Sequence, residues 1–198
     1  MASFKELNLE LQERIKERTI NQISEDSYYI ECINDSVTDY MLDKWGISVH
    51  NKDLYWDTDR EQYVAWDKCS IDKDKLLSHL KDIDKKTFSN TRDWDMLHLG
   101  FRMVRYNSWS SMELLVDDES EYSSDNEDDE SDEELVALLW EDEFQKLVVA
   151  LEDLKEELLS DILEYIERDY DYYYNSQEHL NEVLEGNDYD IETGEIIW

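Results

Sequence analysis

Apolar residues recur along this chain at two periods, and the change between them marks its elements. Over residues 3–25, Leu7, Leu11, Ile15 and then Ile20 or Ile23 fall at helical spacing, with Lys and Glu between them. That pattern predicts an amphipathic helix, and Ser3 with Glu6 three residues on supplies a capping box at its start. A second helix is expected over about 35–45, where Val37, Tyr40, Met41 and Trp45 share a face and Gly46 takes the C′ position. Between Ile47 and Ser70 the period shortens. Leu54-Tyr55-Trp56 and Tyr63-Val64-Ala65-Trp66, separated by the turn-rich Asp57-Thr58-Asp59-Arg60, predict a hairpin.

Asp72 is placed to cap a short helix over 73–82 that turns Leu76, Leu77, Leu80 and Ile83 inward. Met96 to Tyr106 then alternates Leu97, Leu99, Phe101 and Met103 with His98 and Arg102, as a half-buried strand does. Gly100 within it is a candidate bulge or close backbone approach. Asn107-Ser108 makes the turn, and Trp109 to Val116 returns. These four strands predict a small antiparallel sheet packed by helices, an α+β fold.

The next helix is expected over about 133–169. Leu147, Leu151, Leu154, Leu158, Ile162 and Ile166 form its apolar stripe, and Glu152, Glu156, Ser160, Glu164 and Glu167 line the opposite side. Such a stripe is either buried internally or forms the seam of a homodimer. Tyr170 and Tyr172 to Tyr174 follow, as interface anchors or as packing for what comes next. Ser176 caps a last helix over 177–185, and Tyr189-Asp190-Ile191 and Ile196-Ile197-Trp198 flank a tight turn. The chain reads as an α+β body over 1–116, a flexible insertion over 117–134, and a helical segment over 135–198 that packs on the body to complete one domain.

Charge changes this picture most. The 198 residues carry 19 Lys/Arg and 53 Asp/Glu, a net of −34. Residues 1–110 hold 16 basic and 21 acidic side chains, whereas residues 111–198 hold 3 and 32. The insertion alone has twelve carboxylates in eighteen positions and no base, so it buries nothing and is expected to be disordered. Concentrated negative charge opposes compaction. It also excludes direct nucleic-acid binding through a basic patch and disfavours anionic membranes. It favours partners with basic surfaces. No stretch is apolar enough to span a membrane, and Cys32 and Cys69 form no paired motif, so the expected setting is cytoplasmic with free thiols.

Three segments carry a resemblance to a known family: EQYVAWDKCSID (Glu61 to Asp72), VRYNSWSSMELLVDDES (Val104 to Ser120) and YIERDYDYYYNSQEHLNEVLEGNDYDIETGEI (Tyr165 to Ile196). In their order and shape they resemble small acidic phage and mobile-element proteins labelled antitoxins of toxin–antitoxin stability systems. The resemblance implies a mobile-element origin, a bacterial host cell and a protein target. It assigns no catalytic residue.

Catalytic motifs are absent. The chain has no P-loop, GxGxxG, GxSxG or HExxH. Its histidines, at 50, 79, 98 and 179, show no metal-ligand spacing, and the run from Asp125 to Glu130 lacks the glycine of a calcium loop. No enzymatic activity, cofactor or metal is expected. Instead, carboxylates three and four residues apart on a helix stand about 5–6 Å from one another, a separation comparable to that of backbone phosphates. The chain therefore reads as a phage-type inhibitor that mimics nucleic acid. It would occupy the basic nucleic-acid-binding site of a host defence or restriction protein such as a nuclease. The alternative is an antitoxin-like protein that neutralises one cognate toxin by direct binding. The residues expected to meet the partner are Glu152, Glu156, Glu157, Asp161, Glu164 and Glu167 on the helix, Asp128, Asp129 and Glu130 in the acidic tract, and Tyr172 and Tyr173.

Overall fold

A computed structural model describes residues 2–58, 62–80, 97–106, 109–118 and 130–197. Along the chain run α1 (Leu9–Glu25), α2 (Ser27–Tyr40), β1 (Ile47–Val49), β2 (Leu54–Asp57), β3 (Tyr63–Trp66) and β4 (Cys69–Ile71). After these come α3 (Lys73–Leu77), β5 (Leu97–Tyr106), β6 (Trp109–Asp118), the 41-residue α4 (Glu130–Tyr170) and α5 (Gln177–Glu185). The fold is α+β. By its internal contacts the chain forms two compact units. A terminal unit joins Met1–Ser36 to Glu164–Trp198, and a central unit is Val37–Leu163. Neither limit coincides with a change in composition.

In the terminal unit the capping box forms, with the Ser3 amide donating to the Glu6 carboxylate at 2.8 Å. It closes a separate 3-10 turn, Phe4–Glu6, and does not open α1. The cap of α1 is Asn8, whose Oδ1 accepts from the Leu11 amide at 2.9 Å. Leu7, Leu11, Ile15 and Ile23 are buried with Leu180, Leu184 and Tyr189, whereas Ile20 faces solvent. Ser176 caps α5 as expected, accepting from the His179 amide. The terminal hairpin is reduced to single bridges: Tyr189 pairs with Ile196 on one side and with Ala2 on the other. Its turn is held by Asp190, which accepts from the Glu192 and Thr193 amides, and these bonds lower its carboxyl pKa. Gly194 adopts φ 71°, and a Cβ there would lie 2.9 Å from the end of the Ile15 side chain, so any other residue would strain the turn where it closes on α1.

Among the described residues of the central unit the strands form three separate antiparallel pairs, β1–β4, β2–β3 and β5–β6, where one four-stranded sheet was expected. The β2–β3 hairpin has the predicted strands, with Leu54 opposite Trp66 and Asp57 opposite Tyr63. The β1–β4 pair had no alternating pattern to announce it, because each strand is only three residues long. The β5–β6 pair runs in unbroken register from Leu97↔Asp118 to Tyr106↔Trp109. Gly100 is therefore not a bulge, and its position leaves ordinary space for a Cβ beside Leu115. Phe101, Met112 and Leu114 are buried, and the Phe101 ring meets Trp66 edge-on at 5.3 Å. Asp72 caps α3, with Leu76, Leu77 and Leu80 buried behind it, while Ile83 lies outside the described residues.

Helix α2 starts at Ser27, eight residues before the expected point, and ends in a π turn, Met41–Trp45, closed by Gly46 at φ 72°. Helix α4 ends the same way, in the π turn Asp171–Asn175. Both follow apolar or aromatic residues at steps of four: Ile33, Val37, Met41, Trp45 and Leu158, Ile162, Ile166, Tyr170, Tyr174. Four residues overshoot one turn of a 3.6-residue helix by about 40°. A wide π turn takes up that drift and keeps the last residue on the same face.

Candidate partner-binding surface

The rotation of α4 about its axis is fixed by its stripe. Leu147, Leu151, Leu154, Leu158, Ile162 and Ile166 are each 5 % exposed or less within the single chain, so the stripe is not a seam between two copies. In the central unit this turns Asp153, Glu156 and Glu157 outward. The row is not purely anionic. Lys155 donates to the Glu152 carboxylate at 2.5 Å and stands 3.7 Å from Glu156, with its own side chain only 14 % exposed. Its aliphatic stem lies against the protein while its charge offsets Glu152 and, at longer range, Glu156. Val149, one turn before Asp153, is 62 % exposed, an apolar point beside the acids. In the terminal unit the last turns of α4 present Glu164 outward and leave Glu167 half-buried.

Asp161 departs from the expectation that it faces a partner. It is half-buried in the central unit, where its carboxylate accepts from the Tyr40 hydroxyl at 2.6 Å, the Lys44 ammonium at 2.6 Å and the Trp45 indole at 2.9 Å. Burial raises its pKa, but the bonds from Lys44, Tyr40 and Trp45 outweigh that and leave it below the ordinary carboxylate value. The bonds to Asp161 and Tyr40 likewise raise the pKa of Lys44. The first π turn supplies Lys44 and Trp45, and the His79 ring lies against Trp45 at 4.3 Å, tilted by 34°. Step three along the helix from Leu158 places Asp161 on the flank of the stripe, and only the position of α2 makes that flank an interior one. This charge ties α4 to the end of α2.

The second π turn builds an aromatic cluster in the terminal unit. The Tyr29, Tyr172 and Tyr173 rings surround the His179 imidazole at 5.0, 5.3 and 5.2 Å. Tyr170 and Tyr174 stack at 4.7 Å. The Tyr172 hydroxyl donates to Glu182 at 2.7 Å, and this bond to a carboxylate pushes its pKa up to about 12. The tyrosines thus pack against α2 and α5. Tyr172 and Tyr173 are half-buried, and Tyr28, at the edge of the cluster, is 60 % exposed. Tyr28 and Tyr29 were not singled out from the sequence, because they precede the stretch where the second helix was expected and show no apolar periodicity of their own.

Of the acidic tract, Asp117 and Asp118 belong to β6 and Glu130 opens α4, while Asp128 and Asp129 lie outside the described residues. Among the described residues no three His, Cys, Asp or Glu are grouped to hold a metal ion, and no helix is long and apolar enough to cross a membrane. Cys32 and Cys69 are free, half-buried thiols. No family model matches the chain, and no curated protein or solved structure matches it.

Proposed function

We propose that this protein is a non-enzymatic inhibitor that mimics nucleic acid and occupies the basic nucleic-acid-binding site of a bacterial defence or restriction protein. The observation that carries the reading is the outward row Asp153, Glu156 and Glu157 over a buried stripe. A helix anchored in this way presents charge at fixed separations, whereas a solvated acidic tail does not. Association between such a surface and a phosphate-binding groove releases counterions and is steered over long range, so it is fast and salt-sensitive.

The test is capture from bacterial lysate at low salt on the immobilised full chain, followed by competition with duplex DNA for the captured protein. Duplex DNA should displace the inhibitor, and affinity should fall steeply between about 50 and 200 mM salt. Binding unchanged over that range, or indifferent to DNA, would end the proposal. The tyrosine cluster favours the second reading, an antitoxin-like protein whose specificity comes from aromatic contacts. In that case one cognate toxin is captured and DNA does not compete.

A further inference from the structure

We infer that Lys155 determines the specificity of the acidic face of α4. It acts as a built-in ammonium that holds Glu152 against a partner's cations, so that docking starts at Asp153. The inference rests on the proposed function for its basic partner and adds which carboxylates that partner reads. Lys155 donates to the Glu152 carboxylate at 2.5 Å and stands 3.7 Å from Glu156. The two acids are four residues apart, one turn of the helix, and Lys155 lies between them in sequence. Its Nζ therefore takes the place beside Glu152 that an external ammonium would occupy.

Burial sets this pair apart from ordinary surface pairs. An exposed pair is weak because two long side chains must give up their freedom to form it. Lys5 is of that kind, bonded to Glu185 with 74 % of its side chain exposed. The Lys155 side chain is only 14 % exposed, on a helix whose Leu151, Leu154 and Leu158 are buried. Its stem is ordered by folding, so its ammonium pairs with Glu152 at little further loss of freedom. An external cation at Glu152 must displace this tethered one. Asp153, the next residue, is exposed, and among the described residues no cation pairs with it. A cation arriving there displaces only water and loosely held counterions. Glu156 is more exposed than Glu152 and lies farther from the ammonium, so it stands between the two cases. The face is graded, and a partner is selected for cations placed over its Asp153 side.

The experiment follows the side-chain carboxyl carbon signals of Glu152 and Asp153 by NMR in the full-length, isotope-labelled protein as a hexalysine peptide is added at constant low salt. In the wild type the Asp153 signal should move and the Glu152 signal should not. In Lys155→Met, which keeps an apolar stem and removes the charge, both should move, and the peptide should bind about two- to fivefold tighter. Lys146→Met makes the same change of charge at an exposed position of the helix and should alter affinity by less than about twofold. Circular dichroism checks that both variants keep the fold, and the wild-type titration alone can refute the inference. Glu152 and Asp153 moving together in the wild type, neither moving in any of the proteins, or equal tightening by the two substitutions would overturn it. The outcome is separable from that of the proposed function, because the peptide titration uses neither the captured protein nor DNA. Displacement by DNA with Glu152 and Asp153 moving together sinks this inference alone, and the expected shifts without displacement sink the mimicry alone.

Discussion

Asp161 sits where two helices are tied together, and every polar atom of the tie has a partner: Tyr40 and Trp45 on one carboxylate oxygen, Lys44 on the other. Asp161→Asn would leave Lys44 without its counter-charge and present an NH2 group to a donor. A loss of roughly 1–3 kcal/mol is expected, read from urea unfolding at neutral pH. The pH dependence follows from the lowered pKa of this carboxyl. Its contribution is complete above the ordinary value of 3.8 and disappears as pH falls through the lower folded value. The stability difference between wild type and Asp161→Asn should therefore hold down to about pH 4 and close below it. A difference that stayed constant into stronger acid would show that the carboxylate charge is not what holds the tie. At this scale the sequence misled, because a carboxylate on the flank of a stripe reads as surface until the neighbouring helix is in place.

At the scale of elements, α4 is governed by its apolar stripe. Leu158 is fully buried, and Leu158→Ala should cost about 2–5 kcal/mol through lost burial and the cavity left behind. Val149→Ala on the same helix should change stability by no more than about 0.5 kcal/mol, because that side chain is exposed. Chemical denaturation of the two variants checks both, and comparable losses would mean the helix is rotated from the orientation described. The stripe, the caps Asp72 and Ser176 and the long β5–β6 pair were legible in the chain because each depends on local periodicity or on side chains within four residues. The start of α2 was missed, since Tyr28 to Cys32 offers no clean apolar face. The π turns were missed although a signal exists: a run of apolar steps of four without the intervening three.

At the scale of the molecule, a net charge of −34 acts on everything. The terminal unit holds 19 acidic and 5 basic side chains, and the central unit holds 34 and 14, so neither is spared self-repulsion. Screening shortens the reach of charge from about 30 Å at 0.01 M salt to about 10 Å at 0.1 M. The thermal midpoint should therefore rise over that interval, while affinity for a basic partner falls. A midpoint that fell with salt would mean ion pairs such as Lys44–Asp161 outweigh the general repulsion. The opposite signs expected for stability and binding separate a surface shaped by its partner from one shaped only by solubility.

By itself the sequence determined most of the helical and extended segments, though not β1, β4 or the start of α2, and most of the apolar residues that enter a core. These follow from periods of 3.6 and 2 and from short-range caps, all of which are local. Tertiary structure alone decided that the described strands pair as three ladders, that the two chain ends share a core through Ala2 and Tyr189, and that the Tyr29 ring meets that of Tyr173. It also decided which carboxylates still face outward. Asp161 is turned to an internal tie and Glu152 is bound by Lys155, while Asp153, Glu156 and Glu157 are turned to solvent. The pattern could not sort them, because a helix period places all of these acids off the stripe. What separates them is contact with residues more than a hundred positions away in one case and a lysine one turn away in the other.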